Sequence, residues 1–416
     1  MTDALPPVPL MRDGRYLRVW LIGWFTGVVR WLELLAYGVY AYEITGSPVL
    51  VALVALIRFL PLALLGVIIG AVSDQINPRR LLVLSLVAIS LTMAGMLALE
   101  RAGILAYWHL IVATLVAGVF WASEMTLRRK LIGEIAGPGR LAQAMSFDYA
   151  TSNGTRMLGP LAGGLLFEAI GMSGIFAGAL ALYLISIALV FGIATPAAEA
   201  TGGFRPRAAL AAAGDAMRRA LKDNDVTCIL AVTVIFNIWG FPYVSMIPVI
   251  GEEVFGLSPS AVGYVAAIEG AMGLMLAVII GLVASERFYR RIYYLGCTGV
   301  LGAVALIGWA EDLTTLCIGL ALAGLSTACF ATMQSTLIYW VAPPEMRGRY
   351  LGLVSICIGA GLIGFANVGI TAELFGAARA LQIIAMEGLV AILALAFWWR
   401  AFGQEAGLRA RPEPLD

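Results

Sequence analysis

Apolar runs long enough to cross a bilayer follow one another through nearly the whole chain. A membrane-spanning helix needs about 20 mostly apolar residues, and twelve such runs can be counted. Six cover roughly 19–42, 48–72, 81–99, 104–127, 142–167 and 173–195, and six more roughly 226–250, 259–284, 292–310, 314–340, 350–372 and 380–399. Of 416 residues, 61% are hydrophobic and 13% charged, against about 25% charged in an average soluble domain. A soluble fold of this length could not hide so much apolar surface in one core. The bilayer must be the solvent, and the chain reads as an all-α membrane protein of twelve transmembrane helices in two six-helix halves.

The two halves echo each other. Gly70-Ala71-Val72-Ser73-Asp74 is followed by Arg79 and Arg80, and 211 positions later Gly281-Leu282-Val283-Ala284-Ser285 is followed by Arg290 and Arg291. Each frame sits where an apolar run ends and a basic loop begins, the pattern of a transporter made from repeated domains. The expected units are a bundle at 1–195, a cytoplasmic linker at 196–225 and a second bundle with its tail at 226–416. Leu210, Met217 and Leu221 give the linker one apolar stripe, suited to a helix lying on the membrane.

Lysine and arginine set the expected orientation. Of 27, three fall inside spans (Arg30, Arg58 and Arg156) and two, Arg101 and Arg379, in odd-numbered loops. The rest sit in the termini and even-numbered loops, which places both termini in the cytoplasm. Glu252, Glu253, Glu311 and Asp312 mark the opposite side. No short apolar core with a small-residue cleavage site precedes the first run, so that run reads as a retained span.

Several classes drop out. A net charge of +1 gives no bulk attraction to nucleic acid. The five cysteines, Cys228, Cys297, Cys317, Cys329 and Cys357, lack metal-ligand or disulfide-framework spacing and read as small apolar packers. There is no Walker loop for ATP, no Ser-centred elbow and no catalytic set. The expectation is a non-enzyme without cofactor or metal.

Twelve spans divided six and six, together with Gly70, Asp74 and Arg79, resemble the major facilitator superfamily. The loop motif is partial, since Gln75 and Asn77-Pro78 replace its usual residues. In the fifth span, Gly159-Pro160-Leu161-Ala162-Gly163-Gly164 is similar to the G-P-x-x-G-G motif of that superfamily's proton-driven exporters. Pro160 removes a helix hydrogen bond and the glycines permit close helix approach, which suits a bendable seam; tight packing alone gives the same pattern. Tyr42-Glu43-Ile44-Thr45-Gly46-Ser47-Pro48, Arg140-Leu141-Ala142-Gln143-Ala144 and Arg347-Gly348-Arg349 resemble its enterobactin-exporter-like branch. The resemblance implies a monomeric carrier in a bacterial inner (plasma) membrane. It also implies a small organic substrate, exchange against protons by alternating access, and cargo contacts from spans one, four, seven and ten.

Charges inside spans are costly unless they face protein or water. Arg30 and Glu33 lie three apart and share a face, so they can pair. Arg30, Arg58, Glu124 and Arg156 are candidates for the substrate cavity. The arginines are open to a structural or a cargo-binding role, because arginine hardly releases its proton. Glu269 has no basic residue in its own span and is the favoured proton-coupling acid, with Glu33 second; structural pairing of Glu269 with an arginine from elsewhere is the competing reading. Glu387 lies in a span that is peripheral in the family fold. His109, the sole histidine, reads as interfacial. Asn237, Trp239, Tyr243 and Met246 offer polar tips on aromatic and soft apolar surface for a bulky amphiphile, and Pro242 and Pro248 can break that helix. A proton-coupled importer or lysolipid-type carrier, or a non-transporting membrane assembly protein, remains an alternative.

Overall fold

The computed structural model describes residues 9–75, 77–193, 214–343 and 346–402, with side chains described throughout except at 65–75, 138, 142 and 399–402. The long helices of the first part are α1 (Gly14–Thr45), α2 (Pro48–Gln75), α3 (Pro78–Arg101), α4 (Tyr107–Ala136), α5 (Leu141–Ile170) and α6 (Met172–Phe191). After a short helix at 214–220 come α7 (Asn224–Ile235), α8 (Ile247–Glu253), α9 (Pro259–Val283), α10 (Tyr289–Gly308), α11 (Leu313–Val341), α12 (Arg347–Gly359), α13 (Gly361–Phe375) and α14 (Ala377–Phe402). No strand occurs among the described residues. Most of the expected linker lies outside them, Leu210 included; the helix at 214–220 buries Ala216 and Ala220.

Among the described residues, ten helical segments are long and apolar enough to cross a membrane: α1, α3, α4, α6, 224–245, α9, 286–308, α11, 347–375 and 377–398. The other two expected spans are α2 and α5. α2 appears as a shorter apolar helix at Pro48–Leu64. α5 is 30 residues long but is diluted by Asp148, Ser152, Asn153 and Arg156. That dilution has a reason, because α5 carries much of the polar centre described below.

Helix starts follow local capping chemistry. Asn77, Asp223, Ser258 and Asp312 accept backbone N–H bonds at the first turns of α3, α7, α9 and α11, satisfying donors that have no intrahelical partner. The Thr315 hydroxyl and amide bonds hold the Asp312 carboxyl below its usual range. His109 has a capping role too: its Nδ1 accepts the Ala106 N–H at 2.9 Å.

Spans seven and eleven are each interrupted. α7 gives way to a π-helical turn at Phe236–Gly240, then a 3-10 turn at Pro242–Ser245, before α8. Pro242 lacks an N–H and cannot continue the helix, as its sequence position predicts. Gly361 and Gly364 open α13 to this irregular stretch; a Cβ on Gly364 would stand 2.9 Å from the Asn237 carbonyl oxygen.

The helices up to α6 pack as α1 on α5, α2 on α4 and α3 on α6; the later helices pack as α10 on α11, α9 on α11 and α10 on α14. Two main seams join these sets, α5 against α9 and α2 against α13, with a smaller contact of α1 on α8. We call the end where α1 begins proximal and the opposite end distal. At the distal end both seams are tight. A Cβ on Gly164 of α5 would stand 3.0 Å from the Gly263 Cα of α9, and one on Gly369 of α13 would stand 3.3 Å from the Val49 Cα of α2. At the proximal end α5, α9 and α11 surround a cavity of about 600 Å³, with Tyr149, Asn153, Val278, Gly281, Thr332 and Thr336 among its lining.

Candidate functional site

Glu269 and Arg156 meet across the α5–α9 seam. Arg156 Nε donates to Glu269 Oε2 at 2.8 Å, and its Nη2 lies 2.6 Å from Oε1. Glu269 is buried and Arg156 nearly so. The Arg156 guanidinium also lies 4.9 Å from the Trp31 ring centre and 5.6 Å from that of Phe241. Glycines create this approach. Gly270 lets the Arg156–Met157 backbone come against α9, and Gly324 of α11 does the same for the Glu269 backbone. A small cavity of about 30 Å³ touches both charges, with Trp31, Pro160, Val244 and Ala266 among its walls; it has room for about one water. Tyr243 is fully buried within electrostatic reach of the pair.

The other intramembrane charges pair differently from what their spacing suggests. Arg30 and Glu33 do not pair. Arg58 of α2 donates to Glu33 Oε2 at 2.6 Å, while Arg30 reaches Glu124 of α4 at 3.3 Å and stacks 4.7 Å from the Trp121 ring centre. Sharing one face permitted a local pair, but neighbouring helices offered each group a partner of its own. Glu269 is free of a basic neighbour only along its own helix; Arg156 supplies one from α5.

Removing either member of the Glu33–Arg58 pair leaves a buried charge unmatched, which costs about 3–5 kcal/mol. Glu33→Gln is therefore expected to lower the thermal unfolding midpoint in detergent well below wild type. An unchanged midpoint would mean that the pair is not structural.

Glu124 also joins a network that sequence reading missed. It accepts from Arg128 Nε at 2.5 Å and from Thr26 Oγ1 at 3.2 Å, and Arg128 continues to Asp148 of α5. Arg128 reads as a loop residue because it lies just past the apolar run, yet α4 extends to Ala136 and buries it. The four-residue spacing of Glu124 and Arg128 was the available signal.

An aromatic group also escaped the sequence reading. Phe59 of α2 lies 5.3 Å from Phe365 of α13, 5.5 Å from Phe241 and 5.0 Å from Trp121, centre to centre. Single aromatics in apolar runs carry no signal of a shared cluster.

The remaining candidates divide. Asn237 is buried and donates to the Thr233 carbonyl at 2.8 Å. Trp239 is not part of the centre; its indole N–H donates to Glu387 of α14 at 2.8 Å, as does Asn367. Gly159 and Gly163 face α1, where a Cβ would stand 2.8 Å from the Val28 carbonyl oxygen and 2.9 Å from that of Leu32 respectively. Gly164 and the Pro160 carbonyl face α9 instead. The motif thus serves two contacts, one of which is the seam. Arg79 donates to the Phe191 carbonyl at 2.8 Å, tying α3 to the end of α6. Gly70 and Asp74 lie in α2 where side chains are outside the described set.

The repeat extends to the site. Arg58 and Glu269 are 211 positions apart, the spacing of the two loop frames. Gly118 of α4 meets the Arg58 carbonyl as Gly324 of α11 meets that of Glu269. The model for the Major Facilitator Superfamily matches residues 19–310 and again 255–415. The chain belongs to the Major Facilitator Superfamily. An uncharacterised MFS-type transporter of Bacillus subtilis (strain 168), YfiS, is 23% identical over 410 residues, covering 92% of this chain and 94% of that one. A Staphyloferrin A transporter of Staphylococcus aureus is 22% identical over 347 residues, covering 82% and 85%. A bacterial homologue of the lysosomal transporter Spinster, solved inward-facing and unoccupied, superposes with a TM-score of 0.72 at 15% identity, covering 96% of this chain and 99% of that one. A POT family transporter bound to 5-aminolevulinic acid gives 0.77 at 9% identity, covering 93% and 96%. As a superfamily member the chain is a membrane-embedded transporter with a small-molecule substrate, in a family that is generally non-enzymatic.

Proposed function

We propose that this superfamily member exports amphiphilic organic compounds in exchange for protons, by alternating access between two six-helix units at 1–195 and 226–416. The observation that carries this reading is the Glu269–Arg156 pair, the buried charge contact on the α5–α9 seam. Opening the distal side requires α5 and α9 to part. Parting them with Glu269 ionised leaves two unmatched charges in a low-dielectric centre, a cost of several kcal/mol. Protonating Glu269 removes one of them and frees Arg156 for cargo. Arginine stays charged throughout, so the carboxylate is the titrating member.

With the termini cytoplasmic, the proximal cavity faces inward and the proton enters from the distal, outer side. The aromatic group around Phe59 and Trp121 suits an amphiphile with ring surface. Similarity to a protein named for Staphyloferrin A supports a single organic molecule as cargo.

The test uses inside-out vesicles holding the full chain and a panel of cationic, anionic and neutral fluorescent amphiphiles. Acidifying the lumen should drive at least one dye inward against its gradient, and a protonophore should abolish this. Uptake indifferent to the proton gradient would overturn proton coupling. Dye leaving the vesicles together with protons would overturn export.

A further inference from the structure

The distal ends of the two seams are built from matching parts. α2 and α9 both open on Ser-Pro, at Ser47-Pro48 and Ser258-Pro259, 211 positions apart. In each, the serine Oγ accepts the N–H three residues on, from Leu50 and from Ala261, both at 3.4 Å. The helices that face these starts end alike as well. α5 closes with Glu168 three residues before Gly171 (φ 68°), and α13 with Glu373 three residues before Gly376 (φ 84°). Gly164 and Gly369, each four residues before its glutamate, make the close contacts below.

Both glutamates cross their seam. Ser260 N donates to Glu168 Oε2 at 2.9 Å. Ser47 Oγ and Val49 N donate to Glu373 Oε2 at 2.7 and 3.3 Å. Val49 and Ser260 are again 211 positions apart. Each carboxylate therefore binds the first turn of a helix from the other set, where free N–H groups and the helix dipole favour an anion. Both lie at the exposed surface, where ordinary ion pairs contribute little, and these five residues have no part in the central charge pairs.

We propose that Glu168 and Glu373 are paired gate residues of the transport cycle, two equivalent clasps that hold the distal side shut and must both release before it opens. This rests on the alternating-access reading but not on the identity of the proton carrier or the cargo. Placing one clasp on each seam makes closure a two-point event in which the two seams part and close together.

Loss of one carboxylate charge should shift the distal open-to-closed ratio roughly two- to five-fold toward open, the effect of an anion at a helix N-terminus. The two sites share no partner, so their effects should multiply. The experiment is pulsed electron–electron distance measurement in a cysteine-depleted full chain reconstituted in nanodiscs. Spin labels go at Ile170 and Val254 for one seam, and at Ile44 and Leu374 for the other, all exposed positions. Glu168→Gln and Glu373→Gln should each enlarge the long-distance population on both seams, and the double variant should do so by the product. Glu168→Lys, which sets a cation at the same helix start, should exceed Glu168→Gln. Glu311→Gln, an exposed acid at the same end, is the control and should change nothing. Unchanged distances in the double variant overturn the proposal, as does an equal shift in the control. Distances read the gate directly, so the outcome stands whether or not proton-driven dye transport is found.

Discussion

Glu269→Gln should reduce proton-driven dye accumulation by at least about a hundredfold, to the level of empty vesicles. The variant keeps nearly the same volume and can still hydrogen-bond Arg156, but it cannot cycle a proton. The coupling it loses is the cost of parting the ionised pair, several kcal/mol, and each 1.4 kcal/mol is tenfold. Downhill dye exchange without a gradient should persist, because the neutral amide resembles the protonated acid. The measurement is proton flux on dye addition in proteoliposomes, beside exchange at equal pH. Full coupled flux would remove Glu269 from the mechanism, and loss of exchange as well would make the pair structural rather than coupling.

Gly164→Val should be nearly as damaging by a different route. A Cβ at 164 meets the Pro259 carbonyl, the Gly263 Cα at 3.0 Å and the Ser260 Cα at 3.1 Å. These are backbone atoms with no rotamer to yield, so the distal seam cannot close to its present spacing. Overpacking of this kind costs about 1–3 kcal/mol, a shift of roughly five- to 150-fold in the distal equilibrium, and transport should fall in proportion. The comparison is Gly159→Leu, whose collision is with α1 on the same side of the seam. That change should lower thermal stability without biasing the distal distances, whereas Gly164→Val should move the distances and spare stability. Identical behaviour of the two would mean that the motif only packs.

The span pattern was legible because hydropathy is local: each apolar run announces its own helix wherever its neighbours go. The repeat was legible for a similar reason, as two loop frames at one spacing. Span boundaries were less so. Arg128 lies just beyond an apolar run, and the carboxylates of Glu124 and of Asp148 on α5 explain why α4 carries it inward. Pairing was least legible. Arg30 and Glu33 satisfy a helix-spacing rule and still part company, because Glu124 and Arg58 reach them from other helices. Trp239 has the chemistry of a cargo contact, but the π-helical turn at 236–240 aims it at Glu387. Glu269 could be picked out as an isolated acid, while its arginine, 113 residues away, could not.

Arg58 and Glu269 occupy equivalent places in the two repeats and carry opposite charge. Arg58 is neutralised at once by Glu33 of a neighbouring helix, so the α2–α13 seam moves without separating charge. Only the copy with the carboxylate bridges a seam. With a neutral cargo, the proposed exchange through one such group shifts one elementary charge per turnover through the electric field of the membrane. A potential of 100 mV then biases its cycle by no more than about 2.3 kcal/mol, and current recorded across a planar bilayer should show a correspondingly shallow voltage dependence.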